Sequence, residues 1–264
     1  MAKRIWMTGG RGGVGTGFCT VNIALALARA QKRVLLVDGN PLCRSLDAIL
    51  SCSEDVVYDL SDLCAGRIGA KDLLLFPPRG EGLALIPGVF RAGDMPSAAR
   101  LRRSLDALAD EFDFILLDAP ALPSLLSGTP HYDICCVVAD PSSAALPGAE
   151  KIGVSLREAG APEVRLLINR FSLLRPCETG QRTALSMVDA AHIQLLGLIP
   201  PVGEDELARI PYTEEYPLLC EKHPSKRDRA RLAFINIAAR LMEKEIPLLA
   251  GMRDLRFRRR ELLY

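Results

Sequence analysis

Apolar residues fall along this chain in short unbroken runs separated by longer stretches of helical period. The runs of strand length are Arg4–Met7, Val34–Val37, Leu83–Ile86, Phe114–Leu117, Ile134–Ala139, Val164–Ile168 and Leu195–Ile199. They are rich in Val, Ile and Leu and do not alternate with polar residues, which is the pattern of strands covered on both faces. Helical periodicity occupies Val21–Ala30, Ala98–Asp110, Leu146–Ala159, Ala184–Ala191 and Lys226–Glu243. Strands alternating with helices predict an α/β fold, a doubly wound and mostly parallel sheet with helices on both faces. No repeat, low-complexity segment or linker interrupts the pattern, so residues 1–246 read as one domain and 247–264 as a tail.

In such a sheet, ligands bind beyond the carboxyl ends of the strands, so the polar residues that follow the apolar runs are the informative ones. The first run opens into Thr8-Gly9-Gly10-Arg11-Gly12-Gly13-Val14-Gly15-Thr16-Gly17-Phe18 and then a helical stretch. A glycine-rich turn between strand and helix lets backbone amides close on a phosphate at the helix N-terminus. Asp38-Gly39-Asn40 follows the second run, Asp118-Ala119-Pro120 the fourth, Asn169-Arg170 the sixth and Pro200-Pro201 the seventh. Together they could ring one nucleotide-sized crevice.

Two readings of the glycine loop compete. Gly10-x-Gly12-x-x-Gly15 matches a dinucleotide-binding fingerprint, with Asp38 where a ribose-binding acid would stand. No Tyr-x-x-x-Lys pair follows to complete an oxidoreductase. The second reading is a mononucleotide phosphate loop from which the usual Gly-Lys-[Ser/Thr] ending is missing, because Thr16 and Gly17 stand there.

Composition narrows the classes. With 49% apolar and 25% charged residues the chain has ample material for a core, and a net charge of +1 gives no global attraction to nucleic acid. The eight cysteines form no Cys-x-x-Cys pair and the three histidines are scattered, so no zinc site is expected. No signal peptide opens the chain and no apolar run reaches the roughly 18 residues of a spanning helix. A cytoplasmic protein is expected.

The second reading gains weight from the rest of the chain. Arg11-Gly12-Gly13-Val14-Gly15-Thr16-Gly17 resembles the deviant Walker A motif, Lys-Gly-Gly-x-Gly-Lys-[Thr/Ser], of the MinD/ParA family. Val34-Leu35-Leu36-Val37-Asp38 and Arg44-Ser45-Leu46-Asp47 are similar to the strand before that family's first switch and to the Arg-x-Leu-Asp within it. Val57-Tyr58-Asp59-Leu60 and Leu85-Ile86-Pro87 resemble its MinD branch, the septum-site proteins. Phe112 to Pro120 is similar to the Asp-x-Pro strand, Asn169-Arg170 to the adenine-recognising Asn-Arg, and Leu196-Gly197-Leu198-Ile199-Pro200 to the strand beside the base.

The resemblance implies a P-loop fold that binds ATP or ADP through Gly10, Arg11, Gly12, Gly13, Val14, Gly15, Thr16, Gly17, Phe18, Asn169, Arg170 and Pro200. It also implies an ATPase, and here the chain departs from the family. Thr16 replaces the loop lysine, Gly17 the Mg²⁺-binding hydroxyl, Asn40 the switch aspartate, and Phe18 a small hydroxyl residue. Arg11, Asn40 and Asp118 occupy the family's catalytic positions, and among the replaced residues only Arg11 keeps the charge expected there, from which it could act across a dimer. Gly17 cannot ligate Mg²⁺, which leaves Asp38 and Asp118, acting through water, to face a metal. Losing one charged hydrogen bond costs roughly 1.5–3 kcal/mol, about ten- to a hundred-fold in affinity. The expectation is therefore weakened nucleotide binding with hydrolysis weakened or lost, the alternatives being a slow ATPase that uses Arg11 across a dimer and the dinucleotide binder. Family resemblance further implies a homodimer or a heterodimer with an intact paralogue, a regulator protein as partner, and no nucleic acid.

In the tail, Leu248, Met252, Leu255 and Leu262 fall near one helical face beside a cluster of arginines. A basic amphipathic helix over 248–264 is the expectation, able to make a weak contact with an anionic membrane surface.

Overall fold

A computed structural model describes residues 1–78, 80–142, 144–173, 180–202 and 229–252. Short 3-10 turns apart, the elements run β1 (Lys3–Gly9), α1 (Thr16–Arg29), β2 (Val34–Asp38), α2 (Leu46–Ile49), α3 (Leu60–Ala65), α4 (Ala70–Leu73), β3 (Leu83–Ile86), α5 (Ala98–Asp106), β4 (Phe114–Asp118), α6 (Pro123–Leu126), β5 (Ile134–Ala139), α7 (Ala145–Glu158), β6 (Val164–Ile168), α8 (Ala184–Ala191), β7 (Gln194–Leu198) and α9 (Arg229–Leu241). The strands form one seven-stranded sheet in the order β3-β2-β4-β1-β5-β6-β7, and every named neighbour pair is parallel. Each apolar run is thus a strand. β2, β4 and β5 are buried at every position, as two-sided cover requires.

Strand order decides between the two readings of the glycine loop. A dinucleotide fold places the first and second strands side by side. Here β4 lies between them, and β1 pairs with β4 and β5. Asp38 therefore ends a strand that does not adjoin β1, and it is no ribose ligand beside the loop.

α1 begins at Thr16, five residues before the periodic stretch at Val21, because the glycine loop runs directly into it. Its residues from Cys19 to Ala28 are all buried. The sheet covers one side of α1, and α9 lies against another, with the Phe18 and Phe234 rings meeting edge to face at 5.7 Å. α5 stops at Asp106 rather than Asp110.

The tail departs from expectation. Residues 248–251 form turns rather than the start of a helix, with positive φ at Leu249 (59°) and at Gly251 (75°). Leu249 and Met252 are buried in the core. Arg240 of α9 fastens this turn by donating to the carbonyls of Ile246 (2.8 Å), Pro247 (2.8 Å) and Leu196 (2.9 Å). The left-handed residues and the docked side chains are incompatible with a continuous helix from 248. Leu255, Leu262 and the arginine cluster lie outside the described residues.

Candidate functional site

All strands point the same way, so the segments after β1, β2, β4, β5, β6 and β7 meet at one end of the sheet. The glycine loop occupies its middle. Gly10 donates its amide to Val138 O at the end of β5 (2.8 Å). α7 presses on the same residue, since a Cβ on Gly148 would lie 2.0 Å from Gly10 O. Gly13 (φ 79°) and Gly15 (φ 88°) are left-handed, and Gly15 caps α1 without any side-chain bond. Among the described residues the amides from Gly12 to Phe18 find no protein acceptor. These are the orphan donors of a helix N-terminus and the turn before it, the usual ingredients of an anion cradle.

Two side chains just beyond β6 brace the loop. Asn169 donates its side-chain amide to Val14 O (2.8 Å), and its Oδ1 accepts the Arg170 amide (2.9 Å). It approaches so closely that a Cβ on Gly15 would lie 2.6 Å from Asn169 Nδ2. Arg170, at φ 57°, donates to Gly13 O (3.1 Å). Asn169 and Arg170 thus reach the loop and contact its backbone. Pro200 is buried where the chain leaves β7, at the same end of the sheet.

Arg11 turns sideways. Its guanidinium donates to Asp140 Oδ2 (2.6 Å), to Gly12 O (2.9 Å) and to Ser142 Oγ (3.4 Å), and Arg170 stands 3.6 Å from the same carboxylate oxygen. Burial pushes the Asp140 carboxyl up, but hydrogen bonds from Ser142 and the two guanidinium charges outweigh it and hold it below the ordinary carboxylate range. Asp140 is not among the residues that the sequence pattern singles out. The signal was available, because Asp140-Pro141 follows β5 as polar residues follow the other strands.

The Asp38 carboxylate is fully buried and organises the loop after β2 by accepting the amides of Asn40 (3.1 Å), Ser45 (2.8 Å) and Leu46 (3.0 Å). Desolvation raises its pKa against the lowering effect of those bonds. Asn40 spends its Oδ1 on the amides of Leu42 (3.1 Å) and Cys43 (3.3 Å), shaping the turn. Asp47 is buried beside Arg44, 3.0 Å from its Nε without hydrogen-bond alignment, and Arg44 lies over the Phe90 ring. Asp118 pairs in register with Asp38 on the neighbouring strand. It is 5% exposed, and its carboxylate has no hydrogen-bond or ion-pair partner among the described residues. Burial, and then the charge of Asp38, push it up to about 8.

The departures at 16 to 18 have a structural form. A Cβ on Gly9 would lie 2.7 Å from Thr16 Oγ1, so Thr16 folds its hydroxyl back towards the loop's first residues. Phe18 turns its ring to Phe234, so its side chain takes part in the α1–α9 packing. A Cβ on Gly17 would meet Asp118 Oδ2 at 3.1 Å, Ser45 Oγ at 3.1 Å and Ile49 Cδ1 at 3.3 Å. Among the described residues no three His, Cys, Asp or Glu side chains group as metal ligands, and no helix is long and apolar enough to cross a membrane.

Residues 2–158 match a protein family described as an AAA domain. The septum site-determining protein MinD of Synechocystis is 29% identical over 255 residues, covering 96% of this chain and 94% of that protein. The solved MinC:MinD cell division complex of Aquifex aeolicus superposes with a TM-score of 0.79 at 27% identity, over 94% of this chain and 98% of that one. MinD of Pyrococcus horikoshii, solved with Mg-ADP, gives a TM-score of 0.75 at 26% identity, over 93% of this chain and 100% of that one.

Proposed function

The chain belongs to the MinD/ParA family of P-loop ATPases, and on that premise we propose that it binds ATP or ADP without appreciable turnover. The observation that carries the reading is the row of amides from Gly12 to Phe18 with no protein acceptor among the described residues. Backbone donors need no lysine to hold phosphate oxygens. Phosphoryl transfer needs more, because it depends on positioning and on neutralising charge as it develops. Thr16 brings no charge to the phosphates. Asn40 has its oxygen committed to the turn at Leu42 and Cys43. Arg11 is held within its own chain by Asp140, which speaks against a free arginine reaching a neighbour's nucleotide. Each loss touches a different chemical role, so they add up to a site kept for binding.

The role carried over from the relatives is spatial regulation, as of the division septum, in a protein at the cytoplasmic side. P-loop relatives of this kind include one solved as a complex of MinD with MinC. For this chain we propose a dimer, with itself or with an intact paralogue, that presents a surface to a regulator. Anionic membrane contact would fall to residues 253–264, since Leu249 and Met252 are packed in the domain.

Thermal unfolding with ATP, ADP or NADH, alongside phosphate release, tests the reading. ATP and ADP are expected to raise the midpoint by mass action, NADH to leave it in place, and phosphate release to match a protein-free control. Turnover that vanishes on mutating Arg11 or Asp118 would overturn the loss of hydrolysis. A midpoint indifferent to ATP and ADP would overturn nucleotide binding itself.

A further inference from the structure

The place of residue 17 is crowded by oxygen. A β-carbon there would touch Asp118 Oδ2 and Ser45 Oγ, each at 3.1 Å. Ser45 comes from the loop after β2 and stands at the N-cap of α2. A serine in that position ordinarily turns its hydroxyl onto the amides of the first helical turn. Ser45 does not, and among the described residues its Oγ makes no hydrogen bond. Asp118 is equally unspent, with its carboxylate buried and partnerless among the described residues. Two oxygens without partners therefore face one small volume, and that volume adjoins the start of α1, where the amides of Thr16, Gly17 and Phe18 find no acceptor among the described residues.

Glycine at 17 is what allows this. With a side chain at 17, Ser45 and Ile49 would have to withdraw by a few tenths of an ångström. Loss of a hydroxyl at 17 and the approach of a hydroxyl from 45 are thus two sides of one change. The chemistry left in the gap is hard oxygen, one carboxylate and one hydroxyl. Mg²⁺ is typically held by one or two carboxylates, waters and the phosphates of a bound nucleotide, and does not need an all-protein cage.

We propose that Ser45 and Asp118 form the protein half of a divalent-cation site beside the glycine loop, completed by the phosphates of a bound nucleotide. Ser45 thereby supplies from the β2 loop the hydroxyl that residue 17 lacks. The inference rests on the nucleotide-binding reading above, and it makes Mg²⁺ a ligand of a site that does not turn over. The cation would also offset the repulsion between Asp118 and the adjacent Asp38.

The test uses the full chain and a fluorescent N-methylanthraniloyl-ADP, titrated with saturating Mg²⁺ and again with a chelator. Wild type is expected to bind more tightly with Mg²⁺, and S45A to lose about ten-fold or more of that enhancement, at least what an outer-shell partner of a metal is worth. G17S/S45A, which returns a hydroxyl to the vacated space, is expected to recover it. On wild type alone, Mn²⁺ resonance should show more metal bound with protein and ADP together than with ADP alone. Binding that is indifferent to Mg²⁺, or an S45A enhancement equal to wild type, overturns the cation site and leaves nucleotide binding standing. No binding in either buffer overturns both.

Discussion

Arg11 Nη2 lies 2.6 Å from Asp140 Oδ2, and this pair ties the exposed rim of the glycine loop to the end of β5. The Asp140 side chain is 7% exposed and that of Arg11 39% exposed, so solvent screens the pair from one side only. Asp140 is held below the ordinary carboxylate range, so its contribution is present above the unfolded pKa of about 3.9. That contribution is lost as pH falls through the lower folded value. D140N is expected to cost roughly 1 kcal/mol at neutral pH, with the deficit shrinking in high salt and in acid. Urea unfolding of the two proteins at several pH values measures it. An equal deficit at neutral and acid pH would show that the charge is not what matters.

Gly15 and Gly12 belong to one motif and face opposite fates on substitution. Alanine at 15 must adopt φ near 88° and place its Cβ 2.6 Å from Asn169 Nδ2. Left-handed strain costs about 1–3 kcal/mol, and the displaced Asn169 would also release Val14 O. Alanine at 12 meets nothing within 4 Å. G15A is expected to lose about 2 kcal/mol or more, and G12A to stay within about 0.5 kcal/mol of wild type. Chemical denaturation separates the two, and equal losses would refute the account of Gly15.

Gly148 sits inside α7, where helix propensity alone favours alanine by about 1 kcal/mol. The geometry opposes it, because a Cβ at 148 would lie 2.0 Å from the carbonyl oxygen of Gly10. Overlap with backbone cannot be relieved by a rotamer change, so α7 or the loop must shift. G148A is expected to be destabilised by about 1–3 kcal/mol, as overpacking usually is, and to weaken ADP binding through the displaced loop. A stabilised G148A would mean that α7 moves away freely.

These pairings explain what could and could not be read from the chain. The strands were legible because two-sided burial writes itself as unbroken Val, Ile and Leu, and the ends of β2, β4 and β6 announced Asp38, Asp118 and Asn169. Strand order was not legible, since no local pattern says that β4 enters between β1 and β2, and only that order removes the dinucleotide reading. Short helices such as α2 and α6 carry too few residues for a period to show. Phe18 read as a loop residue because its partner, Phe234, lies 216 positions away in a different helix. The tail misread as helical from 248 because its apolar spacing fits one, while Arg240 and the left-handed Leu249 dictate a docked turn. Ser45 was seen as part of a motif, and nothing in the motif said that its hydroxyl forgoes the helix cap.

Asp118 gives the last prediction, through its pH dependence. It ends β4 opposite Asp38, buried, and its carboxyl is pushed up to about 8, chiefly by desolvation and then by the charge of Asp38. Asp38 is raised in the same direction. In the unfolded chain an aspartate ionises near 3.9, so between that value and about 8 the unfolded state binds fewer protons than the native one. Stability from this group is therefore full below the unfolded pKa and declines as pH rises through the folded value. An asparagine at 118 keeps the shape and cannot ionise. D118N is expected to be more stable than wild type near pH 8, by on the order of 2 kcal/mol, and to converge with it towards pH 5. Guanidinium midpoints for both proteins across that range would check it, with the buffer free of divalent metal and nucleotide, since a cation beside the carboxylate would lower its pKa and flatten the slope. Parallel pH profiles for the two proteins would mean that Asp118 is already ionised and solvated in the folded chain, and that the gap beside Gly17 is wet rather than waiting for a cation.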